Sequence, residues 1–205
     1  MDDARKVRDF WFGKTPLSAE QLPRRMKLWF GYVAEETQRQ VDEALRARFG
    51  PLVERAIEGE LAQWADGPRR RLSLILLLDQ FPRNIYRDTP KAFAGDEQAL
   101  QLALSGMQSV ADAALNAVER IFFYLPLQHA ESLEVQEESV AAYKRLLGEA
   151  PADVRDVFEG CVGYAEQHRD VIRRFGRFPH RNEVLGRPTT AEEKDWLLGG
   201  GETFG

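Results

Sequence analysis

The chain has 205 residues, 43% of them hydrophobic and 30% charged, with a formal net charge of −5. That length suits a single domain able to bury about 70% of the surface exposed by its unfolded chain. No apolar run, Leu72 to Leu78 included, approaches the ~20 residues that cross a bilayer; the lone Cys161 excludes an internal disulfide framework, and the acidic balance argues against a dedicated polyanion binder.

The opening Met-Asp-Asp-Ala-Arg-Lys lacks the apolar core of a secretory signal, so a cytoplasmic protein without a membrane segment is expected. Apolar positions recur at three and four residues in nearly every segment, which predicts an all-α fold. A short first helix carries Val7, Phe10 and Trp11 and stops at Gly13 and Pro16; an aromatic loop with Trp29, Phe30 and Tyr32 follows. Val41, Leu45 and Phe49 share one face of a helix from Glu35 to Phe49, and Gly50-Pro51 predicts a turn into a second helix through Leu52, Ala56 and Trp64. A third helix, Arg69 to about Gln80, is apolar around so much of its circumference that it should be central, and Phe81-Pro82 ends it.

Further helices are predicted over Asp96 to Gln108, Ala111 to Tyr124, Glu131 to Leu147 and Pro151 to Phe175. Gly176 and Pro179 break the last of these. A final helix begins at Thr190, where Thr190-x-x-Glu193 has the spacing of a capping box, and residues 199–205 read as a flexible tail. The tetratricopeptide repeat pattern is absent at fixed period, so irregularly packed antiparallel hairpins in one domain are expected.

Polar residues on apolar faces carry the functional information. Asp79 follows Leu72, Ile75 and Leu76 on the most apolar stripe, so its carboxylate must meet an Arg or His from elsewhere. His168 falls on a stripe with Val157, Cys161, Tyr164, Ile172 and Phe175, where Cys161 reads as a small core residue. Phe81-Pro82-Arg83-Asn84 is echoed by Phe178-Pro179-His180-Arg181-Asn182, and Leu125-Pro126-Leu127-Gln128-His129 follows the same logic at a third helix end. Arginine outnumbers lysine 22 to 6, with six Arg and no Lys between Gln167 and Thr190. Arg forks suit carboxylate or phosphate, although structural ion pairs use them too.

These segments resemble one known family. Asp9-Phe10-Trp11-Phe12-Gly13, Leu76 to Arg87, Ala92 to Asp96, Phe123 to Glu131, His168 to Asn182 and Leu185-Gly186-Arg187 agree in order along nearly the whole chain with the bacterial domain-of-unknown-function family 924. The resemblance implies an all-helical fold stacked in the manner of tetratricopeptide (TPR) hairpins, and it implies no chemistry. Ala130 departs from the hydroxyl residue that the family places before Glu131.

Two functional readings stand side by side. In one, Asp79, Gln80, Arg83, Asn84, His129, Glu131, His168, Arg177, His180, Arg181 and Asn182 form a single pocket for a small anionic metabolite. His168 or His180 would act as acid–base group alongside Asp79, and Arg83, Arg177 and Arg181 would clamp the anion. In the other, the same residues satisfy loop backbone, and the chain is a TPR-like module that binds a protein partner. His129, Glu131, His168 and His180 lack the spacing of a metal site. No phosphate-cradling glycine loop or nucleophile elbow is present, so neither cofactor nor metal is expected. Nucleic acid is disfavoured by the net charge.

Overall fold

Asp2 starts helix α1 (Asp3–Phe12) by accepting the Ala4 N–H on its carboxylate, and Gly13, at φ +70°, ends it in a conformation that side chains disfavour. The structure, a computed structural model, describes residues 2–13, 17–18, 20–31 and 33–204. Pro16 and Tyr32, expected at the first helix stop and in the aromatic loop, lie outside the described residues. Part of that loop is helical: α2 spans Gln21–Trp29, burying Leu22 and Trp29.

The turn expected at Gly50-Pro51 does not occur. α3 runs unbroken over Glu35–Ile57 with Pro51 inside it. Proline removes one helical hydrogen bond, to the carbonyl four residues earlier. That residue is Ala47, which is exposed, so water can replace the missing donor. Trp64 sits instead in a short 3-10 turn, Ala62–Asp66.

Proline also fails to end the central helix. α4 (Pro68–Ile75) passes into a π turn over Leu76–Gln80 and continues as α5 (Phe81–Ile85), with the Phe81 N–H donating to Leu76 O. Pro82 has no N–H to donate into this turn, and Gly95 packs directly against the Leu78 carbonyl, where a β-carbon would collide. A 3-10 turn, Pro90–Phe93, leads into α6 (Asp96–Gln108).

The helix predicted from Ala111 begins later. A 3-10 turn occupies Ala111–Ala114, Asn116 forms a capping box with Glu119, and α7 runs over Ala117–His129 straight through Pro126, which was expected to mark its end. α8 (Leu133–Glu149) and α9 (Arg155–Phe175) follow, and Gly176 closes α9 in the left-handed region at φ +70°. The predicted Thr190–Glu193 capping box opens α10 (Ala191–Leu198). No strand occurs among the described residues, and none of their helices is long and apolar enough to cross a membrane.

Side-chain pairings fix the directions of the last three long helices. Tyr143 Oη donates to Ile121 O at 2.8 Å while Gln136 reaches Gln128 O, so α7 and α8 are antiparallel. Lys144 pairs with Glu166 and Arg173 with Glu137, so α8 and α9 are antiparallel too. The main core is aromatic where α1, α2 and α7 meet: the Phe122 ring lies 4.8 Å from Trp29, 5.3 Å from Phe12 and 5.7 Å from Trp11. A smaller apolar cluster joins Val171, Ile172, Phe178 and Phe204. Phe204, in the segment expected to trail freely, is thus buried against α9.

Candidate functional site

The π turn supplies the first two members of the site. An extra residue per turn swells the helix at this point, and all five residues Leu76–Gln80 are buried. Asp79, wholly buried, is anchored through both carboxylate oxygens. Oδ1 lies 2.6 Å from His129 Nδ1 and 3.1 Å from Arg83 Nη1, and Oδ2 accepts Gln80 Nε2 at 2.6 Å. Burial alone would push the Asp79 pKa up, but the Arg83 and His129 beside it hold it below the usual carboxylate range.

Asp96, at the start of α6, grips the Arg83 fork in bidentate fashion at 2.8 Å on both oxygens. Arg181 lies 3.7 Å from the same carboxylate and donates to His129 O at 3.1 Å. Its guanidinium stacks 4.4 Å from the Phe178 ring centroid and 5.0 Å from that of Phe93. Burial first, and Arg83 second, lower Arg181 to about 10, which still leaves it charged at neutral pH. Two carboxylates therefore balance two guanidinia. Burial and then Arg83 lower the His129 pKa, with Asp79 opposing. A neutral His129 donates from Nδ1 to Asp79 and keeps the Nε2 lone pair free of a proton.

His168 stands next to this pair, with ring centroids 6.3 Å apart. Its Nδ1 donates to Tyr164 O at 2.8 Å, which fixes the tautomer, and its buried Nε2 has no hydrogen-bond partner. Phe204 stacks on the ring at 3.6 Å. Desolvation, with His129 nearby, holds its pKa well below the ordinary histidine value.

A cavity of about 70 Å³ opens over these groups, lined by Gln38, Gln80, Arg83, Asn84, Arg87, His129 and His168 with Trp29, Phe30 and Phe204. Asn84 donates to Gln80 O at 2.9 Å and accepts from Gln38 Nε2 at 3.0 Å. Arg87 pairs at 3.1 Å with Asp42, half out in solvent. No carboxylate is among the lining residues; Asp79, Asp96 and Asp42 stand behind the guanidinium and amide groups. The lining thus offers cationic and amide donors together with imidazole lone pairs.

Other residues expected in one pocket are placed elsewhere. Arg177 grips Glu193 through Nε and Nη2 at 2.6 and 2.8 Å, and Asn182 reaches the same carboxylate at 3.3 Å. This cluster, drawn around the α10 capping box, has no lining position in the cavity. Hydrogen bonding to Arg177 pulls the Glu193 carboxyl down to about 2. Glu131 is a staple: Oε1 accepts the Phe178 N–H at 2.7 Å, and Oε2 meets Arg187 at 2.6 Å. His180 packs beside Phe178 and Phe204, at 5.6 and 5.9 Å between centroids, rather than lining the cavity, and burial lowers it to about 4. Gln38, Arg87 and Asp96 belong to the site without having been expected there. Only Asp96 sent a signal, as an acid opening a helix, and that is its commonest structural role. Among the described residues, no group of three or more His, Cys, Asp or Glu side chains could hold a metal ion.

A solved structure of a protein of unknown function from Agrobacterium tumefaciens superposes with a TM-score of 0.77 at 34% identity, covering 96% of this chain and 97% of that one. No functionally curated protein matches the chain. The model of a family described as bacterial protein of unknown function (DUF924) matches residues 7–201, and the chain belongs to that family.

Proposed function

We propose that the protein, cytoplasmic in location, binds a small anionic metabolite in the 70 Å³ cavity and acts on it with His129 as general base. The observation that carries this reading is the Asp79–His129 contact of 2.6 Å. A buried carboxylate that fixes Nδ1–H leaves Nε2 as the acceptor, which is the arrangement a histidine base requires. His129 lines the cavity beside Arg83 and Arg87, with no carboxylate in the lining to repel an anion. His168 supplies a second lone pair to the same space. The cavity is small, about the size of a carboxylate group or a few waters.

A thermal-shift screen of carboxylated and phosphorylated metabolites tests the reading. Bound ligand should raise the melting temperature of the wild type, and Arg87→Ala, which leaves the buried groups intact, should reduce that rise. His129→Gln should keep binding and lose turnover of any hit.

One observation favours a second reading. The guanidinia of Arg83, Arg177 and Arg181 all have carboxylates of the chain within 4 Å, as a purely structural network would. The antiparallel packing of α7, α8 and α9 would then support a TPR-like module for a protein partner. A well-folded wild type that no metabolite stabilises would favour this alternative.

A further inference from the structure

A second cavity of about 320 Å³ lies between α2, α7, α8 and α9, lined mostly by apolar groups such as Met26, Ile121, Tyr143 and Val157. Three residues line both this cavity and the polar one: Phe30, Leu125 and Tyr164. The two cavities therefore adjoin at these three side chains. Along α7 the arrangement follows from helical spacing. Ile121 and Leu125 lie one turn apart, with Gln128 on the larger cavity and His129 on the smaller, so Leu125 faces the boundary between an oily chamber and a histidine.

Charge gives this pair of chambers a direction. The larger cavity's one ionisable group on an exposed residue is Asp156, near the start of α9; the smaller has Arg83 and Arg87. A carboxylate would be repelled at the acidic mouth and attracted at the cationic end. The volume is about twice that of a 150 Å³ apolar cavity known to hold one benzene ring, which corresponds to about eight to twelve carbons. Tyr143 does not compete for a ligand's polar atoms, because its hydroxyl is committed to Ile121 O. Cys161 is a further soft wall, with its thiol pushed up to about 12 by burial and so protonated at neutral pH. Gln128 Oε1 is buried without a partner, one acceptor in an otherwise oily lining.

We infer that the two cavities form one amphipathic ligand site, in which a medium-chain carboxylic acid places its head group beside His129 and Arg83 and its apolar chain past Leu125 into the larger chamber. This rests on the anion reading of the smaller cavity and adds the class of ligand.

Isothermal titration with acetate, hexanoate, octanoate, decanoate and 1-decanol, each below its micellar concentration, tests it. From hexanoate to decanoate the affinity should rise about fourfold per added methylene, and decanol should bind more weakly than decanoate. Gly160 lines the larger cavity, and a β-carbon there meets nothing within 4 Å, so Gly160→Trp should fold and block the chain. It should abolish the dependence on chain length, while Arg87→Ala should weaken decanoate more than decanol. The chain-length series in the wild type decides the matter even if Gly160→Trp does not fold. Short carboxylates binding as tightly as long ones would overturn the amphipathic site and leave the anion reading standing. Decanol matching decanoate, both indifferent to Arg87→Ala, would overturn the link between the chambers. Failure of every carboxylate to bind would overturn the amphipathic site, while the anion reading would stand or fall on the phosphorylated compounds of the thermal-shift screen.

Discussion

Replacing Asp79 by Asn keeps the shape of the side chain and deletes its charge, so the loss isolates the electrostatic part of the buried cluster. In the wild type, Asp79 and Asp96 offset Arg83 and Arg181; the variant leaves a net positive cluster around a fully buried position. Breaking a buried ion pair typically costs ~3–5 kcal/mol. Arg83 retains its bidentate grip on Asp96, which places the expected loss near the lower figure, about 3 kcal/mol. For a chain of this length, that corresponds to a fall in Tm of about 6–12 °C. Urea and thermal unfolding at pH 7 measure it. Asp79 has its pKa depressed by folding, so its contribution is complete above the ordinary carboxylate value and fades as the pH falls below it. The gap between wild type and Asp79→Asn should therefore narrow in acid. A loss under about 1 kcal/mol at pH 7, or a gap that widens in acid, would refute the picture of a buried paired charge. Adding Arg83→Met should cost less than the sum of the two single changes, since each single variant strands the other's partner.

Three lowered histidines make the fold acid-sensitive: with His180 near 4 and His129 and His168 also depressed, the unfolded chain takes up protons first. Stability should be complete above about pH 6.5 and fall steadily toward pH 4; His168→Phe should flatten part of that slope in a series of melts, and a slope left unchanged would count against the buried neutral ring. Gly95→Ala should destabilise by about 1–3 kcal/mol because its methyl meets the Leu78 carbonyl. Gly160→Ala, in open space on α9, should be neutral or stabilise by up to about 1 kcal/mol, and equal effects in denaturant melts would contradict both assignments. Phe204→Ala uncovers the His168 ring, so its pKa, followed by NMR, should climb toward 6.5; an unmoved titration would show that Phe204 does not desolvate it.

Local chemistry was legible where the signal and the structure share a helical turn. The Thr190–Glu193 box, the Gly176 stop and the apolar stripe carrying Asp79 all follow from spacing alone. Pro51, Pro82 and Pro126 misled because each costs a helix only one hydrogen bond, a loss that tertiary structure can absorb, as where the Ala47 carbonyl stands on an exposed residue four before Pro51. The partnership of each arginine was illegible for a related reason. Arg177 and Arg181 sit four residues apart in similar contexts, yet one turns to Glu193 and the other toward Asp96. Gln38 carried no anomaly, being an amide on an ordinary helix face, and only the approach of Asn84 from 46 residues away gives it a role.

The swollen turn at Leu76–Gln80 makes the site depend on counting as much as on chemistry. Each residue of a regular helix advances the screw by about 100°. Deleting one residue between Leu76 and Gln80 would let the segment relax into an ordinary helix interrupted only by the missing donor of Pro82, yet Arg83 and Asn84 would swing away from His129. The chamber would lose the Arg83 guanidinium and the Asn84 amide although no side chain of α7 had changed. Single-residue gaps in this stretch should thus be far more damaging to ligand recognition than most substitutions within it.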